Sequence, residues 1–314
     1  SRNGDGKAAL GPMIREYLIS EAMHNLGISS TRALAVITTG ENVLREKIEP
    51  GAILIRVAKS HIRVGTFQFG SLLKKHEEFN NLIDYTINRL APELINKKNK
   101  YIKFFEKVCE LQINLITEWM RVGFIHGVMN TDNMSLSGET IDYGPCAYLD
   151  IYNPKTVFSS IDKMGRYSFE NQPKISLWNL ARFAETFLYL IDSNESKAIK
   201  IVEKLLNKYN DKFNLNWNIM MSKKLNLDLN NNDNNIIIKE FLDLMHIYKL
   251  DYTNTFINLK NGNLNQDIFK DWLKKYNNYK LSKYNNINPT IIPRNHIIEK
   301  LIDDAYKGKY NKMF

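Results

Sequence analysis

The sequence predicts an α+β chain, with a small β-containing portion over about residues 1–70 and a large helical portion over 71–314. Three observations carry that prediction. Two β-rich runs, 30–40 (STRALAVITTG) and 52–58 (AILIRVA), fall early and are bounded by turn residues. From about Gly70 onward, apolar residues recur at the three- and four-residue spacing of amphipathic helices. One polar segment, 126–150 (HGVMNTDNMSLSGETIDYGPCAYLD), has no long apolar run and is dense in carboxylates and amides.

Residues 1–8, SRNGDGKA, form a polar turn in which Gly4 and Gly6 flank Asp5. Glycines there let a backbone approach a ligand closely, and a plain solvent loop explains the same residues. A helix is expected over about 11–26, with Ile14, Leu18, Ala22 and Met23 on its buried face and Gly27 as its stop. Glu16 lies toward the side of that stripe, where an acid can face a cleft. Arg56 interrupts the second β run and Arg63 follows in SHIRVG. An arginine in such a place is either a snorkelling edge residue or an anion ligand.

Helices are expected over 72–90 and 101–121, the second delivering the chain into the polar segment. Cys109 falls in its apolar pattern and reads as a small core hydrophobe. After Asp150 comes a long irregular stretch, VFSSIDKMGRYSFENQPKIS, of a length that usually marks function. A strongly apolar helix is expected over 177–191 and one or two more over 195–223. The asparagine-rich tract 230–235 reads as a flexible loop, and the tail carries helical patterns at 265–277 and 295–307.

Composition is that of an ordinary globular protein, 44% hydrophobic and 25% charged. The net charge of +9 suits anionic partners such as nucleotides. Lysine excess travels with heavy asparagine and isoleucine usage, so compositional drift explains it better than a nucleic-acid surface, and no nucleic-acid partner is expected. Two cysteines, Cys109 and Cys146, argue against a disulfide framework and fit a reducing compartment. No apolar run reaches the ~18 residues of a membrane span, and no signal peptide is visible, so a cytoplasmic location follows by default. The chain opens on Ser1 rather than Met, which leads to the expectation that an upstream part of a longer protein is missing.

The chemistry concentrates in 126–150. Asp132, Glu139 and Asp142 fall within eleven residues of one another, oxygen donors suited to Mg²⁺ shared with a substrate phosphate. His126-Gly127-Val128, followed five residues later by Asn133, has the frame of a kinase catalytic loop, His-x-Asp-x-x-x-x-Asn, with Val128 in the aspartate's place. Nine residues after Asn133 comes Asp142-Tyr143-Gly144, a form of the Asp-Phe-Gly metal motif. Val128 cannot accept a proton; Asp132, four residues later, can.

At HGVMNTDNMS and TIDYGP the chain resembles the selenoprotein O (SelO) family, kinase-like proteins that act as protein adenylyltransferases. SRNGDGKAAL, IREYLISEAMHNLGI, STRAL, GRYSFENQP, WNLARFAE and NP…IPRNH add to the likeness, in the family's order, while about 195–285 has drifted. The resemblance implies a protein-kinase-like fold with a partial β-containing N-lobe at 1–70 and a helical C-lobe at 71–314. It implies Asp132 as the base, Asn133 and Asp142 as ligands of Mg²⁺ or Mn²⁺, and Asp142 in contact with ATP through the metal. Asp5 and Gly6 match the nucleotide-contacting turn, and Arg56 and Arg63 match arginines on the far phosphates of a reversed ATP. Glu16 matches a helix glutamate that pairs with a phosphate-binding lysine.

The glycine-rich stretch and lysine that precede the GDG turn in the family are missing here, which leads to the expectation that Glu16 lacks its partner, Lys7 being no substitute. The family's C-terminal segment also reads as cut short after Phe314. The function implied is transfer of AMP from ATP, or of UMP from UTP, to Ser, Thr or Tyr hydroxyls of proteins. The alternative is an inactive remnant that at most binds nucleotide. A small-molecule phosphotransferase is disfavoured by Val128.

Overall fold

The computed structural model describes residues 5–73, 75–283 and 287–311, so Gly4 lies outside the described residues. The fold is α+β. Strand β1 (Ala8–Ala9) runs directly into helix α1 (Leu10–Asn25), and a long hairpin follows, β2 (Arg32–Leu44) and β3 (Ile48–Val57). These strands form one antiparallel sheet in the order β1-β3-β2. Pairing is Arg32 with Val57 at one end and Leu44 with Ile48 at the turn, with register shifts between Ala33 and Ala35 and between Thr38 and Asn42. Alternation along β3 sends Ala52, Leu54 and Arg56 toward α1 and leaves Ile53, Ile55 and Val57 exposed on the other face.

Helix α2 (Val64–Leu72) departs from the expectation, which had helix begin only at about Gly70. Its glycines, Gly65 and Gly70, weaken the local helical signal. Tertiary packing overrides them: Phe67 is buried edge-on against Phe79 and Phe183, with ring centroids 5.6 and 5.0 Å away. Helices α3 (His76–Leu90) and α4 (Lys100–Val122) agree with the periodicity. Gly123 ends α4 in the left-handed region (φ 74°), and a Cβ there would fall 2.8 Å from the Tyr252 ring.

The pair β4 (Phe124–Ile125) and β5 (Ala147–Tyr148) then ties off residues 126–146 as one closed loop. Helix α5 (Gln172–Glu185) starts earlier than expected, with Pro173 in its first turn, and α6 (Leu188–Ile191) is separate because Phe187 leaves helical geometry (φ −136°, ψ 25°). Residues 195–224 form a single helix, α7 (Glu195–Lys224), whose first turn is capped by Asn194. The asparagine tract is only partly loop: Asn234 and Asn235 begin α8 (Asn234–Ile247). That helix and α9 (Tyr252–Lys260) were not expected from the sequence, whereas α10 (Gln266–Tyr276) and α11 (Asn295–Tyr306) were.

One continuous core runs from Ile14 and Met23 of α1 through Phe105, Ile116 and Trp119 of α4 to Phe241 and Trp272. Cys109 and Cys146 are buried and unpaired. Among the described residues no helix is long and apolar enough to cross a membrane.

Candidate active site

His126, wholly buried, fixes the closed loop from inside. Its Nδ1 accepts from the Val128 N–H (3.3 Å), so Nε2 carries the proton and donates to the Ile141 carbonyl (2.9 Å). Burial holds the imidazole below its ordinary pKa and keeps it neutral, as both bonds require. Two amides of α5 reinforce this. Gln172 accepts from the His126 N–H and donates to the Phe124 carbonyl, each at 3.0 Å, and Asn179 donates to the Met129 carbonyl at 2.9 Å. Gly127 (φ 84°) is obligatory, because a Cβ would fall 1.9 Å from the Pro145 carbonyl oxygen.

Asp132 and Asn133 lie in a single 3₁₀ turn, Thr131–Asn133, capped by the Asn130 side chain, which accepts from the Asp132 N–H (3.0 Å). Asn133 is 8% exposed and donates through Nδ2 to the Val128 carbonyl (2.9 Å), which leaves its amide oxygen as the group available to a ligand. Asp132 is exposed and reaches the start of α2, where a Cβ on Gly65 would fall 2.2 Å from Asp132 Oδ1. The chain just after this turn is stitched to the start of α2. Val64 N–H donates to the Met134 carbonyl (3.0 Å) and Leu136 N–H to the Ile62 carbonyl (3.1 Å). Arg63 is thereby set opposite Ser135, two residues beyond Asn133.

Asp142 adopts a left-handed backbone (φ 68°), and no hydrogen-bond donor among the described residues reaches its carboxylate. The next residue, Tyr143, is buried and donates its N–H to Glu16 Oε1 (2.9 Å). Glu16 also forms an ion pair with Arg56 across the α1–sheet interface, 2.8 Å long. This corrects the expectation that Glu16 lacks a partner: the cation comes from β3, while Lys7 pairs with Glu41 at 2.7 Å. Burial pushes the Glu16 carboxyl up, opposed by Arg56 and the Tyr143 N–H and assisted by the nearby charge of Asp142. Among the described residues, the buried Nε–H groups of Arg56 and Arg63 have no acceptor.

The trio of carboxylates does not converge. Glu139 is buried and occupied by the Lys59 N–H (2.9 Å) and the Ser137 hydroxyl (2.7 Å), so it holds the loop rather than a cation. Among the described residues no three His, Cys, Asp or Glu side chains gather at one point. The Asn133 amide oxygen and the Asp142 carboxylate remain, oxygen donors of the kind that hard divalent cations take. Asp5 and Gly6 sit apart from this loop, beside the hairpin. Asp5 is exposed and takes two bonds from Arg45 (2.9 and 3.1 Å) and one from the Lys7 N–H (3.0 Å), which hold its carboxyl at about 2.

Sequence reading missed Gly65, Gln172 and Asn179. Each acts on a segment more than forty residues away, so no local pattern carries it.

Comparison with known proteins gives a consistent result. The family described as "Protein adenylyltransferase SelO" matches residues 1–278. The chain is 48% identical to "Protein nucleotidyltransferase YdiU" of Clostridium perfringens (strain SM101 / Type A) over 329 residues, covering 100% of this chain and 67% of that protein. It is 48% identical to the protein of the same name from Pelagibacter ubique (strain HTCC1062), covering 100% and 69%. The corresponding protein of Clostridium botulinum (strain Eklund 17B / Type B) is 50% identical, covering 98% and 66%. The chain thus spans about two thirds of the length of these relatives.

Proposed function

The chain belongs to the SelO family of protein adenylyltransferases, and on that premise we propose that it transfers AMP from ATP to Ser, Thr or Tyr hydroxyls of proteins. UTP, as donor of UMP, is the competing nucleotide. The observation that carries this reading is the pair of buried, acceptorless Nε–H groups on Arg56 and Arg63 beside a loop bearing Asp132, Asn133 and Asp142. An unmet buried donor costs about 1–3 kcal/mol, and terminal phosphate oxygens would recover it. Forked guanidinium donors suit a phosphate dianion better than ammonium groups.

In this reading Asn133 and Asp142 would hold Mg²⁺ or Mn²⁺, an ion that would supply charge neutralisation at the phosphates. Arg56 and Arg63 grip the terminal phosphates, which sets the α-phosphorus toward Asp132. The hydroxyl oxygen of the target bonds to that phosphorus while the bond to the β-phosphate breaks. Pyrophosphate leaves with the electron pair, and Asp132 accepts the hydroxyl proton. Asp5 and Gly6 contact the nucleotide from the hairpin side; the Asp5–Arg45 pair is exposed and screened, so it opens at little cost.

We read the architecture in the same way, as protein-kinase-like with its N-lobe portion at 1–70 and its helical C-lobe at 71–314. Support comes from a helix glutamate paired with a strand cation, a buried loop histidine and an Asp-Tyr-Gly turn meeting at one place.

ATP labelled separately at the α and γ positions tests the activity. Protein labelled from α alone is the expected result. Labelling from γ alone identifies a kinase, labelling only from α-labelled UTP identifies UMP transfer, and labelling from none of these identifies an inactive remnant.

A further inference from the structure

Two neighbouring residues of α1 hold the segment that follows Asp142, one at each end. Glu16 accepts the Tyr143 N–H (2.9 Å), and Arg15 donates through Nη1 to the Cys146 carbonyl (3.2 Å). Asp142 immediately precedes this held segment, in a left-handed conformation that a non-glycine residue keeps when its surroundings over-determine it. Arg15 is 6% exposed; its guanidinium lies over the Phe158 ring (5.8 Å), and its other polar contacts belong to α11. Nη1 also donates to Asn295 Oδ1 (3.0 Å), and Nη2 pairs with the Glu299 carboxylate. Helix α11 bears directly on α1 elsewhere too: a Cβ on Gly11 would fall 2.5 Å from the Tyr306 hydroxyl, which itself donates to Glu49 of β3 (2.6 Å). This helix lies beyond residue 278, where the family match ends.

We propose that Arg15 is a positioning residue for Asp142, and that α11 is the brace that holds Arg15 in place. Without Glu299 and Asn295, the guanidinium is free to turn toward solvent. The Cys146 end of the turn is then released, and Asp142 relaxes out of the orientation that presents its carboxylate to the metal. Glu16 alone fixes only the Tyr143 end. The inference rests on the reading of Asp142 as a metal ligand.

The test is Mn²⁺ binding by electron paramagnetic resonance in the presence of the α,β-methylene analogue of ATP, together with thermal unfolding of each variant. Loss of a residue that orients a metal ligand weakens affinity by roughly 10–100-fold, and that range is expected for Arg15→Ala. Glu299→Ala should weaken Mn²⁺ binding in the same direction, and Arg15→Lys should recover part of it. Phe269→Leu, a core substitution in α10, should lower the melting temperature and leave Mn²⁺ affinity unchanged. Glu299 has a 54% exposed side chain, so its variant decides the matter if Arg15→Ala does not fold. Wild-type affinity in Glu299→Ala, or an equal loss in Phe269→Leu, overturns the proposal. Asp142→Ala separates the two ideas: Mn²⁺ binding that survives it overturns the ligand assignment and this inference together, whereas binding that it abolishes but Glu299→Ala spares overturns the inference alone.

Discussion

Glu16 of α1 and Arg56 of β3 form a 2.8 Å ion pair, and the Glu16 side chain is only 4% exposed. The pair ties the helix to the sheet at the level of the Asp142 turn, since the same carboxylate accepts the Tyr143 N–H. Removing one partner of a buried pair leaves an uncompensated charge, at a cost of about 3–5 kcal/mol. Glu16→Ala should therefore destabilise the protein by about that amount in urea unfolding. A loss below about 1 kcal/mol would mean that Arg56 is satisfied elsewhere.

Asp142 and Asp132 should separate binding from transfer. Asp142→Ala is expected to abolish metal-dependent ATP binding measured by calorimetry, because Asn133 alone is a poor cation site. Asp132→Ala should leave that binding in place and reduce transfer by about 10²–10⁴-fold, the usual contribution of a general base. Equal losses of binding in both variants would merge the two roles.

Gly65 offers a test that spares the fold. An added Cβ meets the Asp132 carboxylate oxygen at 2.2 Å, the movable end of a side chain rather than a backbone wall. In helix α2, Gly65→Ala should keep or raise the melting temperature, since alanine is favoured over glycine by about 0.5–1 kcal/mol in a helix. Transfer should fall because Asp132 is pushed aside, while ATP binding stays. Wild-type transfer rates in this variant would remove Asp132 from the reaction.

His126 makes the site sensitive to acid. Burial holds its pKa below the ordinary 6.5, so just under pH 6.5 the unfolded chain takes up a proton that the folded one refuses. Stability from this group is complete above 6.5 and declines as pH falls toward the depressed folded value. Protonation at Nδ1 also breaks the bond from the Val128 N–H. His126→Asn should flatten the decline in thermal melts across that window, and the ring's NMR titration midpoint should lie below 6.5. A midpoint at or above that value would contradict the neutral, buried assignment.

What the sequence determined by itself was local or carried by spacing. The long helix α4, the existence of strands β2 and β3 and the Asn133 to Asp142 interval were legible because periodicity and motif frames are properties of neighbouring residues, whereas the long hairpin that joins the strands was not. Tertiary structure decided what depends on distant contacts. It gave Glu16 the strand arginine Arg56 and diverted Glu139 from any cation to the Lys59 N–H and Ser137. It made α2 helical despite two glycines, because burial of Phe67 outweighs local propensity. It also returned α11 to α1, where Arg15 meets Glu299 across 284 residues of chain. No pattern confined to a short window of sequence records such a pairing.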